Sequence, residues 1–267
     1  MNKTKRAQEL GISRRSLYYK PKRESIDTEL KIQIESVLNT HPSYGHRRIA
    51  IELKLNKKRI LRIMHKYCLH PRKRRNSFIK PNDLNRPKSS HKNLIGISCA
   101  IRPGTIYVSD FTYIKYQNKF IYLATVVDQF TREIIGVHIS RLHDSNLILK
   151  ALINAIKTNP IPKILHSDQG SEYTSKIYDA FCKDKNILIS MSHKGSPWEN
   201  GYQESLYNNF KLELRDVNRF ENISKLIEAI YLQIYYYNYE RIHTKLKTSP
   251  IKFKQKYLDR LCKKMGT

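Results

Sequence analysis

From Thr105 onward the chain changes character in a way that few folds admit. Three segments rich in β-branched and aromatic residues follow one another: "TIYVSDFTYIKY" (105–116), "KFIYLATVVDQF" (119–130) and "EIIGVHIS" (133–140). Short polar breaks separate them, and the first two can close as a hairpin. Helical and extended patterns then alternate: "SNLILKALINAIKTN" (145–159), "KILHSD" (163–168), "SKIYDAFCKDK" (175–185), "NILISMS" (186–192) and a helix running from about 197 to Leu214. The order β-β-β-α-β-α-β-α predicts an α/β unit, a mixed sheet covered by helices.

What precedes Thr105 is helical and basic. The 267 residues hold 50 Lys and Arg against 23 Asp and Glu, a net charge of +27. Residues 1–104 carry 26 of the cations and 7 of the acids, whereas residues 105–267 carry 24 and 16. Such an excess attracts polyanions, nucleic acid first. An anionic membrane surface fits less well, because no basic amphipathic helix stands alone. "AQELGISRRSLYYK" (7–20) reads as a short helix, a turn at Gly11 and a second helix capped by Ser13, like the later half of a helix-turn-helix. "SYGHRRIAIELK" (43–54) and "NKKRILRIMHKYCL" (56–69) read as further helices. In the latter, Asn56 is the expected N-cap. Ile60, Ile63, Met64 and Tyr67 form one stripe, and Arg59, Arg62 and Lys66 form another. A buried stripe with a basic one is what a groove-binding helix needs, and Arg47, Arg48 and Lys57 join the candidate DNA contacts. The organisation expected is a helix-turn-helix-like region over 1–69, a basic Pro-containing linker over 70–103, a core over 104–216 and a helical extension over 217–267. Cys68, Cys99, Cys182 and Cys262 are scattered, which argues against a zinc site or a disulfide scaffold. With no apolar leader and no membrane-spanning run, a cytoplasmic location is expected.

Three carboxylates stand out. Ile106, Val108, Asp110, Thr112 and Ile114 share one face of an extended strand, and an acid among them is costly unless paired or metal-bound. Asp128 ends a strand before "QFTR", where turn chemistry explains it, with support of the site as its other expected role. Asp168 closes the short strand before "QGSEY", with Glu172 as a competitor in the loop. In "SPWENGYQESLYNNFK" (196–211), Ser196 and Glu199 have the form of a capping box with Pro197 at the first helical position. Glu204 lies roughly 140° around the helix from Glu199 and shares its face with Asn200 and Lys211. Two strand aspartates and a helix glutamate can converge on hard cations, Mg²⁺ or Mn²⁺. Two such ions ~4 Å apart activate an attacking oxygen and stabilise a leaving one at a phosphodiester. Lys211 is then expected near a DNA phosphate.

These residues resemble the insertion-sequence-three type of bacterial transposases, which share a catalytic core with retroviral integrases. The resemblance rests on "YVSDFTYI" around Asp110, "YLATVVDQFTREIIG" after it, "HSDQGSEYTS" around Asp168 and "SPWENGYQESLYNNFKLEL" around Glu204, with 35 residues between Asp168 and Glu204. "YYYNYERIHTKLKTSPIKF" (235–253) and "HPSYGHRRI" (41–49) match flanking motifs. It implies a ribonuclease-H-like core with Asp110, Asp168 and Glu204 as catalytic triad and metal ligands, two Mg²⁺ or Mn²⁺ ions, 3′-end nicking and strand transfer. It also implies terminal inverted repeats and target DNA as substrates, and a homo-oligomer on DNA. Glu199 stands where relatives often carry Asp, and Gly201 where many carry Ala. The front end resembles a second-reading-frame product, so a first-frame protein is an expected partner. Two other readings share some of these features. One is a DNA-binding regulatory second-frame product. The other is a ribonuclease-H-type nuclease, which leaves the basic front end and the closing motif unexplained. Arg241 and His243 in the closing motif are expected to contact DNA or to buttress the core. The tyrosines at 235, 236, 237 and 239 are expected to stack on bases or to pack.

Overall fold

A computed structural model describes residues 3–18, 24–72, 91–95, 100–193 and 201–265. The chain divides into two compact units, Met1–Pro71 and Arg72–Thr267. None of the described helices is long and apolar enough to cross a membrane.

The first unit is all helical: α1 (Lys3–Glu9), a 3₁₀ turn (Arg14–Tyr18), α2 (Glu24–Thr40), α3 (His46–Glu52) and α4 (Lys57–Lys66). Gly11 supplies the turn after α1 with φ +61°. Ser13 Oγ accepts the Ser16 amide at 3.2 Å, but the segment that follows winds as a single 3₁₀ turn and not as the expected α-helix. Asn56 caps α4, accepting the Lys58 amide at 2.9 Å. Ile60, Ile63 and Met64 of the α4 stripe are buried together with Ile34 of α2 and Ile49 of α3, while Tyr67 is the C-terminal cap of α4.

The second unit is built on a five-stranded mixed sheet in the order β3-β2-β1-β4-β5. Strands β1 (Ile106–Tyr116), β2 (Lys119–Asp128) and β3 (Ile134–Ser140) form an antiparallel meander; β4 (Ile164–Ser167) and β5 (Leu188–Met191) add in parallel. The helices are α5 (Ser145–Thr158), α6 (Lys176–Asp184), α7 (Gly201–Leu214), α8 (Ile223–Tyr239) and α9 (Pro250–Met265). The β1–β2 hairpin turns at Gln117 and Asn118, both at positive φ, as a two-residue turn matched to strand twist requires.

Alternation along β1 and β2 sorts the side chains into two cores. Tyr107, Ala124 and Val126 pack with α5 and α6 on one face. Ile114, Leu123 and Val127 pack with α7 and α8 on the other. α5 crosses close over β3: a Cβ at Gly136 would meet the Ala151 carbonyl and lie 2.6 Å from Ala155 Cβ. Asp128 is buried at the end of β2, where it accepts the amides of Gly104, Phe130 and Thr131 at 2.6, 2.8 and 2.8 Å. Its role is turn chemistry.

Candidate active site

Asp110 lies midway along β1 on the face that receives α7. Two residues of α7 hold that strand through its main chain. Gln203 Nε2 donates to the Val108 carbonyl at 3.0 Å, and the Tyr207 hydroxyl donates to the Asp110 carbonyl at 2.7 Å. The same hydroxyl lies 2.8 Å from Thr125 Oγ1, across the β1–β2 pair. Gln203, Leu206, Tyr207, Phe210 and Leu214 are the buried stripe of α7. Glu204, beside that stripe in the first turn of the helix as described, is exposed at its rim.

The Asp110 carboxyl accepts one amide, from Phe111 at 2.8 Å. Burial, and next the negative charge of Asp168, push its proton affinity well above the usual carboxylate range; Glu204 adds to the push, and the Phe111 amide and Lys211 oppose it. One electrostatic field therefore joins the four residues singled out from sequence. Asp168 follows the last residue of β4, and its Oδ1 accepts the Gly170 amide at 3.0 Å. Lys211 places Nζ 4.7 Å from the centroid of the Tyr113 ring. Among the described residues, no three His, Cys, Asp or Glu side chains stand close enough to enclose a metal ion as they are. Ser196, Pro197, Glu199 and Asn200, and with them the capping box, lie outside the described residues.

Sequence reasoning passed over His143. Its Nε2 lies 2.9 Å from Glu172 Oε1, and its ring lies against Tyr122 and Phe111, with ring centroids 4.9 and 4.7 Å away. The only signal was its place immediately before Asp144, the N-cap of α5. Glu172, set aside as a loop residue, is buried. Its Oε2 would lie 2.8 Å from a Cβ at Gly170, and Asp168 Oδ1 would lie 3.1 Å from the same point.

The basic residues of the first unit divide by environment. Arg47, Lys57 and Arg59 are exposed, and Arg48 lies over the Tyr44 ring at 5.7 Å. Arg62 and Lys66 converge on Asp27. Arg62 gives it two hydrogen bonds at 2.9 and 2.6 Å, and Lys66 one at 3.0 Å. The Arg62 hydrogen bonds hold the Asp27 carboxyl well below the usual range, against desolvation and with help from Lys66. The stripe Arg59, Arg62 and Lys66 is thus partly an internal clamp between α4 and α2.

Of the two roles expected for Arg241, its surroundings fit the buttress. The side chain is 3 % exposed, and its Nε donates to Glu213 Oε1 at 2.8 Å. Gln233 Nε2 donates to the other oxygen of Glu213 at 2.8 Å. A guanidinium enclosed in this way has no face left for DNA; it ties the end of α8 to α7. Burial pulls the Arg241 proton affinity down, and Glu213 more than restores it. His243 is half-buried, and its main chain bridges to Thr248. Of the tyrosines, Tyr237 is buried, whereas Tyr235 and Tyr239 stack on each other at 4.5 Å with exposed rings.

Two integrase core domain families match the chain, one over residues 100–197 and the other over residues 185–250. A transposase for insertion sequence element IS904 of Lactococcus lactis subsp. lactis is 32% identical over 252 residues, covering 90% of this chain and 99% of the relative. A 31 kDa protein of insertion element IS600 from Shigella sonnei is 31% identical over 267 residues, covering 94% and 97%. A chain in the intasome of simian T-cell lymphotropic virus, solved in complex with a PP2A regulatory subunit, superposes with a TM-score of 0.53 at 18% identity. That match covers 83% of this chain and 74% of that one, and at this identity it speaks to the fold alone.

Proposed function

Because the chain belongs to the integrase-core transposases of bacterial insertion sequences, of the insertion-sequence-three type, we propose that Asp110, Asp168 and Glu204 are its catalytic carboxylates. The reaction we assign is 3′-end nicking of the element followed by direct attack of the freed 3′-hydroxyl on a target phosphodiester. The observation that carries this reading is the placement of three acids on three elements of one unit: Asp110, half-buried on the α7-facing side of β1, Asp168 just past the end of β4, and Glu204 on α7, which Gln203 and Tyr207 fasten to β1, with the charges of Asp168 and Glu204 acting on Asp110 against Lys211. Such a set is unfavourable for the apo protein and suited to a hard divalent cation, which all-oxygen ligation favours.

Mg²⁺ or Mn²⁺, two ions by this reading, would be held by those three side chains and would supply Lewis-acid activation of the attacking and leaving oxygens. The rest falls to the chain itself. Gln203 and Tyr207 fix the distance between the strand of Asp110 and the helix of Glu204. Lys211 offsets phosphate charge at the rim. The helical unit presents Arg47, Arg48, Lys57 and Arg59 to the DNA backbone, and the chain works as a homo-oligomer on DNA in the cytoplasm.

The test is Asp110→Asn, assayed for cleavage and strand transfer on terminal inverted repeats with Mg²⁺. Both activities should vanish while duplex binding persists. Cleavage at the wild-type rate in that variant would remove Asp110 from the chemistry.

A further inference from the structure

The α5-facing side of the sheet is not covered over its whole length. β4 pairs with β1 only as far as Val108. Beyond that point, β1 and β2 carry a row of rings that runs from the edge of the apolar core, where Phe111 and Tyr122 are partly buried, out to the exposed Tyr113 and Phe120. Phe111 and Tyr122 flank His143, and Tyr113, opposite Tyr122 across the strand pair, meets Phe120 edge to face at 5.5 Å. Tyr113 is 58% exposed and Phe120 47%. Contiguous exposed apolar surface rimmed by polar groups marks an interaction site.

Cations border the row. Lys211 Nζ sits over Tyr113, and a cleft of about 550 Å³ beside Phe120 and Tyr122 is lined by Lys119 and Arg141, with Glu221 as its acid. Lys211 is also the cation that acts on Asp110, so the row begins one side chain from the proposed catalytic carboxylates. Rings interleaved with cations suit a polyanion that also offers flat π faces. Duplex DNA hides its base faces in the stack, whereas an unpaired strand exposes them.

We propose that this row is a stacking platform for an unpaired DNA strand beside the catalytic carboxylates. Tyr113 and Phe120 take base faces, and Lys211, Lys119 and Arg141 take phosphates. The assignment of DNA as the ligand rests on the proposed function.

The test compares the full chain with the Tyr113→Ala/Phe120→Ala variant, using a labelled oligothymidylate of about 15 nucleotides and a duplex of the same length, by fluorescence anisotropy. Single-strand affinity should fall about 10-fold or more while duplex affinity holds, and Tyr113→Trp/Phe120→Trp should retain single-strand binding. Equal loss on both probes, or none on either, overturns the platform. A variant that changes only the sedimentation of the free chain also overturns it, in favour of a protein contact. Strand transfer is scored separately: ring-dependent single-strand binding without any strand transfer retires the catalytic reading and leaves the platform standing.

Discussion

The hydroxyl of Tyr207 donates to the main-chain carbonyl of Asp110 at 2.7 Å, so the helix that carries Glu204 is fastened to the strand that carries Asp110 by the residue one turn beyond the glutamate. Removing the hydroxyl leaves a buried carbonyl with a weaker environment, and losses of this kind amount to about 1–2 kcal/mol. Tyr207→Phe should therefore lower the denaturation midpoint modestly. Its larger effect should be on turnover, since misplacement of a catalytic group by about 1 Å can cost on the order of 100-fold. Strand-transfer rates at saturating DNA, set beside urea titrations, measure the two effects. An unchanged rate in a destabilised variant would show that Tyr207 only packs.

Much of this arrangement was legible in the sequence, and the reasons are local. The period-2 pattern of β1 placed Asp110 on an interior face, because the neighbours at 106, 108, 112 and 114 fix which way it turns. Helical spacing put Lys211 with Glu204. The order of strands and helices carried the α/β architecture. What escaped depends on contacts distant in the chain. Nothing near Arg241 announces that Glu213, 28 residues earlier, will enclose it. Nothing near Arg62 announces Asp27, 35 residues earlier. A basic residue reads as a surface residue until its partner is found, and a partner across a fold has no periodicity to reveal it. The 3₁₀ turn at Arg14–Tyr18 escaped for another reason: Ser13 caps an α-helix and a 3₁₀ turn alike, and five residues are too few for the pattern to choose.

The Glu213–Arg241 pair yields a prediction about stability. Both side chains are nearly closed off from solvent, at 6% and 3% exposure. Breaking such a pair from one side strands the other charge, a loss of about 3–5 kcal/mol. Glu213→Leu should approach that loss. Glu213→Leu combined with Arg241→Met should recover most of it, because no charge is then stranded and only the half-buried Gln233 amide loses its acceptor. Chemical denaturation of the single and double variants measures the coupling. If the losses simply add, the guanidinium is not held by Glu213.

A pH dependence follows from Asp27. Its carboxyl is depressed in the folded state by Arg62 and, after desolvation, Lys66, so the unfolded chain binds its proton more readily than the folded one. The stability it contributes is complete above the unfolded value, about 4. It is lost as pH falls from there through the lower folded value. Asp27→Asn should therefore weaken the α2–α4 contact at neutral pH, and the gap from wild type should narrow below about pH 4. Amide hydrogen exchange in α2 and α4 reads this directly. The same experiment separates the basic residues: Arg62→Ala should loosen α4 as well as weaken DNA binding, whereas Arg59→Ala, on an exposed position, should weaken DNA binding alone.

Two glycines of the second unit should fail differently when given a methyl group. At Gly136 the new Cβ would run into the Ala151 carbonyl and Ala155 Cβ. Backbone of α5 cannot step aside without parting from β3. Gly136→Ala should lower stability by at least the ~1–3 kcal/mol typical of overpacking, with activity per folded molecule preserved. At Gly170 the nearest atoms are the ends of two side chains, Glu172 Oε2 at 2.8 Å and Asp168 Oδ1 at 3.1 Å. These can turn away at small cost to the fold, but one of them is a proposed metal ligand. Gly170→Ala should leave the melting temperature within a few degrees, which corresponds to about 1 kcal/mol. Divalent-ion affinity, read by calorimetry with Mn²⁺, should drop about 10-fold, in the range for disturbed supports of a metal ligand. A Gly170→Ala protein that melts early yet binds Mn²⁺ normally would mean that the loop, and not the carboxylate of Asp168, absorbs the added methyl group.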